Sequence, residues 1–241
     1  MEIIVDLCNQ HHGSLIELKR MSLNAFLAGA DTVKVQLLDS EKHFGTKEKK
    51  YRDIDYKYRD IDYNSFMRLD EFCKNHGIGF LATPFDEERL GWIKSAGHSR
   101  VKIASKTVKQ DPQLCEEIIN SRKSLIVSTG ACEFGEFPFG ISPRIKYLFC
   151  VSKYPTYLHD EDLKKMPAEF RESSYTGFSD HTIGITAALE AFLNGATILE
   201  KHYSENIMAQ SKTEGAHICS FNKESLKQYK DLIKEFSILR G

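Results

Sequence analysis

Between Tyr175 and Tyr203 the chain reads YTGFSDHTIGITAALEAFLNGATILEKHY, a strand–helix–strand unit. A short apolar run ends at Gly177-Phe178 and gives way to the polar burst Ser179-Asp180-His181-Thr182. Ile185, Ala188, Leu189 and Phe192 then recur at three- and four-residue spacing, the period of a helix with one buried face. Gly195 stops that helix, because glycine enters the left-handed cap conformation without strain. Ala196 to Leu199 opens a second strand that runs into Glu200-Lys201-His202. A helical crossover makes the two strands parallel and brings both polar ends to one edge of the sheet. Neighbouring strands lie about 4.8 Å apart, so His181 and His202 are candidate ligands of one metal ion. The other reading is two unrelated histidines that cap strands.

The same unit recurs along the chain. Ile3-Ile4-Val5 predicts a first strand, followed by Asp6 and the polar run Asn9-Gln10-His11-His12-Gly13. Ser14 to Glu17 predicts a capping box, and Leu18, Met21 and Ala25 carry a helix to Gly29. Further strands are predicted at 33–37, 78–82, 100–104, 125–127 and 145–151, and further helices at 65–75, from an Asp86 cap to Gly97, from Pro112 to 120, near 161–165 and over 223–239. The last helix would bury Leu226, Tyr229, Leu232, Ile233 and Phe236. Residues 131–143, with glycines, prolines and three phenylalanines, show no helical period, so the helix after strand five is reduced to a loop. Eight units predict a single (β/α)8 TIM-barrel domain over residues 1–241. An open doubly wound sheet is the alternative, but no glycine-rich phosphate fingerprint follows the first strand.

Residues 39–62 stand apart. They are rich in Lys and Arg and hold the tandem repeat YRDIDYK–YRDIDY. The repeat is too short for a solenoid and reads as a charged surface insertion, a solvated loop rather than a partner-binding segment. Net charge is −1, from 33 basic and 34 acidic residues, so no basic excess points to nucleic acid. No apolar run approaches the roughly eighteen residues of a membrane span, and MEIIVDLCNQ lacks the pattern of a signal peptide. Six scattered cysteines without a C-x-x-C pair read as free thiols in a reducing cytoplasm.

In a barrel the strand C-termini form the active face. The groups gathered there are Asp6, His11, Lys34, Gln36, Thr83, Lys102, Ser105, Ser128, Ser152, Tyr154, Ser179, Asp180, His181, Glu200 and His202. Lys34 and Lys102 lie in strands otherwise made of Val and Ile. A lysine turned into the barrel is costly unless an anion neutralises it; the alternative is that both point outward along apolar surface. Hydroxyls at neighbouring strand ends offer donors to phosphate or carboxylate oxygens. Together these groups suggest a small dianion held beside a metal.

The segments IIVDLCNQHHGS, GADTVKVQ, GFLATPFD, VKIAS, IVSTG, FCVSKYPT, GFSDHTIG and ATILEKHY follow one another in an order that resembles the sialic acid synthase family, across almost the whole chain. The resemblance implies condensation of phosphoenolpyruvate with an N-acetylated amino sugar or related aldose, in a metal-dependent reaction. It implies that Lys34, Thr83, Lys102, Ser105, Ser128 and Ser179 hold phosphoenolpyruvate, that His181 and His202 bind a divalent metal, commonly Mn2+ with Mg2+ or Co2+ as alternatives, and that Tyr154 lines the sugar site. Asp6 and Lys102 join the two histidines as catalytic candidates; Gln36, Ser152, His11 and Glu200 join the substrate contacts. Departures from the family pattern fall on the sugar side. Gln10-His11-His12-Gly13 stands where members have Asn-His followed by Asn or Glu and Gly, and Lys106-Thr107 replaces Gly-Glu or Gly-Asp. The family's Pro-Gly-Pro-Asp segment is NIMAQSKTEGAH, with Glu214 as substitute for the aspartate. His12, Lys106 and Glu214 are therefore expected to meet an atypical acceptor. Members also carry a C-terminal antifreeze-like domain that reaches the partner subunit, whereas this sequence stops at Gly241; the resemblance covers the barrel domain, and a homodimer is compatible with it. The alternatives are a ligand-binding or regulatory homologue without turnover, and another metal-dependent barrel aldolase or lyase.

Overall fold

The computed structural model describes residues 1–40, 42, 60–205 and 218–241. Most of the 39–62 insertion, and Glu214, lie outside the described residues. The two ends of the insertion close on each other, the Ser40 amide donating to the Asp60 carboxylate at 3.1 Å.

Among the described residues eight strands are joined mostly by helices: β1 (Glu2–Asp6), α1 (Leu15–Leu27), β2 (Thr32–Leu37), α2 (Tyr63–Asn75), β3 (Gly79–Pro84), α3 (Glu87–Ser95), β4 (Arg100–Ile103), α4 (Ser105–Gln110), α5 (Pro112–Ser121), β5 (Ser124–Ser128), β6 (Ile145–Cys150), β7 (Tyr175–Asp180), α6 (Thr186–Leu193), β8 (Ile198–His202) and α7 (Lys223–Arg240). All registered pairings are parallel, in the order β3-β2-β1-β8-β7-β6-β5-β4. β3 and β4 lie beside each other across the remaining seam, giving a nearly closed TIM barrel. Two short 3-10 turns, Leu163–Lys165 and Phe170–Glu172, stand where a helix before β7 is expected, and residues 131–143 form turns rather than a helix.

Alternation along the strands sorts the core. Ile4, Leu81, Ile126, Leu148 and Ile198 form a small cluster inside the barrel. Ile3, Val5, Val33, Val35, Val101, Leu125, Val127 and Leu199 belong to the larger core under the helices. Two residues on from each inner apolar residue, on the same face, stand Asp6, Thr83, Ser128, Cys150 and Glu200. The barrel is thus apolar at its floor and polar at its rim.

Local chemistry sets the helix ends. Ser14 accepts from the Glu17 amide at 3.3 Å, but the predicted capping box is half made. The Ser14 amide already donates to His11 O, and the Glu17 carboxylate turns to Arg20. Asp86 caps α3 as expected, accepting from the Arg89 amide at 2.8 Å. α7 buries Leu226, Tyr229 and Ile233, while Leu232 and Phe236 are only half-buried. The Tyr229 hydroxyl docks α7 on α6 by donating to Ala188 O. Among the described residues no helix is long and apolar enough to cross a membrane.

Candidate active site

A cavity of about 460 Å³ opens at the C-terminal ends of the strands. Asp6, Lys34, Gln36, Lys102, Ser105, Ser128, Ser152, Tyr154, Ser179, His181, Glu200 and His202 line it, drawn from seven of the eight β–α units.

Both strand lysines face inward and are buried. Their counter-ions come from the protein itself: Lys34 Nζ lies 2.8 Å from Asp6 Oδ2 and 3.3 Å from Glu200 Oε2, and Lys102 Nζ lies 3.5 Å from Glu200 Oε1. Two cations and two anions cancel, which is how the barrel tolerates four buried charges without a bound anion. Burial pushes the Asp6 carboxyl up, but Lys34, and after it His202 and Gln36, outweigh that and hold it well below the carboxylate range. Burial pushes Lys34 down, but Asp6 and Glu200 hold its ammonium above the usual lysine value. Burial also opposes ionisation of Glu200, yet Lys102 and Lys34 keep its carboxyl low. Lys102 differs: burial lowers its ammonium below the ordinary value, and the longer contact with Glu200 does not restore it.

The hydroxyls divide into two kinds. Ser128 Oγ accepts from Lys102 Nζ at 2.7 Å and keeps its own proton for a ligand oxygen, whereas Ser105 Oγ accepts from the Gly130 amide at 3.0 Å and donates to Cys150 Sγ at 3.6 Å. Ser179 likewise spends its proton, on Glu200 at 3.0 Å.

At the mouth, the His181 and His202 rings stand 5.6 Å apart between centroids, with Tyr154 over His181 at 4.1 Å. His181 Nδ1 is 2.7 Å from Val151 O. A carbonyl only accepts, so Nδ1 carries a proton, and in the neutral ring Nε2 is the nitrogen with the lone pair, the tautomer of a metal-ligating histidine. His202 Nε2 is 3.8 Å from Asp6 Oδ2. Among the described residues no three His, Cys, Asp or Glu side chains converge as a metal cage. His181 and His202 are the two donors a cation would share with water and substrate.

Three expected contacts do not line the cavity. Thr83 stands in the same layer as Asp6 and Ser128 but is fully buried and does not reach the cavity. His11 is buried in the β1–α1 loop, where Nδ1 accepts from the Gly13 amide at 3.0 Å. His12 is exposed, at a φ of 47°. Asp180 leaves the strand on the outer face, because β7 runs through Asp180 and alternation sends Ser179 in and Asp180 out. Lys106 does line the cavity, with Lys109 and Gln110, because Ser105–Gln110 is a helix turned toward the mouth rather than a loop. Cys8, Asn9, Phe85 and Cys150 also line it and were not anticipated. The alternation that puts Leu148 inside does identify Cys150.

A family model described as the NeuB family matches residues 23–241. The chain is 28% identical to the N,N'-diacetyllegionaminic acid synthase of Legionella pneumophila, covering 99% of this chain and 73% of that protein. It is 30% identical to a pseudaminic acid synthase of Campylobacter jejuni, covering 83% of this chain and 64% of the relative. Among solved structures, the sialic acid synthetase of Leptospira borgpetersenii superposes with a TM-score of 0.86 at 28% identity, covering 99% of this chain and 84% of that one.

Proposed function

The chain belongs to the NeuB family, whose members condense phosphoenolpyruvate with a sugar, and we propose that it is a metal-dependent synthase of this kind whose aldose acceptor differs from the usual N-acetylated amino sugars. One observation carries the reading: two buried ammonium groups, protonated serine hydroxyls and two imidazoles converge in one cavity at the active end of a barrel.

In this reading the phosphate and carboxylate of phosphoenolpyruvate lie against Lys102, Lys34, Ser105, Ser128 and Ser152. Lys102 contributes most, because its ammonium has the weaker counter-ion contact of the two. Asp6 and Glu200 stay ionised and hold the lysines in place, so neither donates a proton near neutral pH. Tyr154, at the mouth over His181, faces the acceptor and offers its hydroxyl as a donor. His181 and His202 would hold a divalent cation, Mn2+ by preference, which supplies Lewis acidity for the aldehyde oxygen. The enol carbon of phosphoenolpyruvate then joins the aldehyde carbon, water adds to the oxocarbenium centre, and phosphate leaves by C–O cleavage. Lys106, on the rim, remains the proposed contact to an unusual acceptor.

The test is phosphate release from phosphoenolpyruvate with Mn2+ across a panel of aldoses, phosphorylated and N-acetylated forms included. Release that depends on one aldose is expected. Measurable phosphoenolpyruvate binding without release from any acceptor would support a ligand-binding homologue instead. No binding at all would overturn the reading.

A further inference from the structure

Lys201 lies between Glu200 and His202 in β8, so its side chain leaves on the opposite, outer face of the barrel. Neither it nor Asp180 has exposed side-chain surface. Its Nζ is 2.6 Å from Asp180 Oδ2 and 2.6 Å from Thr182 O. Asp180 Oδ1 in turn accepts from the Thr182 amide at 2.7 Å. His181 stands between these two residues. Its own carbonyl accepts from the Thr156 amide at 2.8 Å, and its ring donates to Val151 O.

A buried ion pair is not needed for packing, since an apolar pair of similar volume is often as stable or more so. An apolar pair cannot tie the residues before and after His181 to a single point on β8, the strand that carries His202. We infer that Lys201 is a positioning residue for His181: from outside the barrel it clamps the Asp180–Thr182 turn and so fixes the imidazole against Val151 O and opposite His202. Only the metal consequence of this rests on the function proposed above; the ring geometry does not.

Lys201→Met alone leaves Asp180 buried and unpaired, and can fail to fold. The working variant is Asp180→Asn/Lys201→Met, which is neutral and keeps an oxygen for the Thr182 amide. In metal-free protein labelled with 15N-histidine, the His181 Nδ1–H resonance should be protected from exchange, and it is assigned by its absence in His181→Gln. In the folded double variant, with circular dichroism unchanged, that resonance is expected to vanish or shift, and Mn2+ affinity to fall at least tenfold by electron paramagnetic resonance. An unchanged, protected resonance in the double variant would overturn the clamp. If the wild type binds no Mn2+, the metal assignment fails, and the resonance still decides the positioning role.

Discussion

Lys34 touches two carboxylates within 3.3 Å, whereas Lys102 reaches one at 3.5 Å and spends its other donors on Ser128 and the Ile103 carbonyl. The two lysines should therefore fail differently. Lys102→Ala is expected to weaken phosphoenolpyruvate binding at least tenfold by calorimetry, about 1.4 kcal/mol; equal affinity would reject its role as an anion contact. Lys34→Ala strands Asp6 beside a half-paired Glu200 and should cost about 3–5 kcal/mol of stability, read by denaturant unfolding. His11 gives a pH signature. Burial, helped by His12, pushes its ring down to about 4, against about 6.5 in an unfolded chain. Between those values the unfolded chain binds the extra proton. The stability contributed by neutral His11 is thus complete above pH 6.5 and is lost as pH falls toward 4, on the order of 3 kcal/mol in all. Unfolding curves from pH 7 to 4 should steepen by that amount relative to His11→Gln, and parallel curves would refute it. At this scale the sequence was informative where a charged residue interrupts an apolar strand, as at Lys34, Lys102 and Glu200. It was not where facing depends on the last strand residue: Asp180 looks like a site residue until β7 is seen to include it.

Strand positions were legible because parallel strands buried on both faces read as Val and Ile runs, and residues 131–143 were legible as a loop because three phenylalanines there follow no helical period. α4 was not. Six residues, SKTVKQ, are too few to display a period, and the helix is settled by how Ser105 packs at the rim. Gly177 shows what the pattern leaves out. It pairs with Ile198 in register, and a Cβ there would overlap the Ile198 carbonyl. Only glycine lets β7 and β8 approach this closely, and those strands hold Ser179, Glu200 and His202. Gly177→Ala must push β8 away, at about 2 kcal/mol or more. The expected result is a lower melting temperature together with weaker metal binding, since the shift separates His181 from His202. Wild-type stability in Gly177→Ala would mean that the strands repack without displacement.

The proposed cation site has two imidazole donors, one at the end of β8 and one just past β7, so the molecule would be linked to a metal without being built around it. The barrel core is complete without the ion: an apolar floor, a helical shell and four buried charges that cancel. Chelation should therefore stop phosphate release yet leave circular dichroism unchanged, unlike a zinc module that unfolds on losing its ion. Binding to the folded state alone must still raise stability, by about 2.7 kcal/mol at a cation concentration 100-fold above Kd. For a chain of this size that is roughly 5–10 °C in melting temperature. Wild-type protein should show this rise with Mn2+ in a calorimetric scan. His202→Ala, which removes one of the two donors but neither lysine nor carboxylate, should fold and show almost none of it. The comparison needs no substrate, so it tests the metal site even where the acceptor sugar is unidentified. An equal rise in both proteins would move the cation elsewhere and leave the phosphoenolpyruvate half of the cavity standing alone.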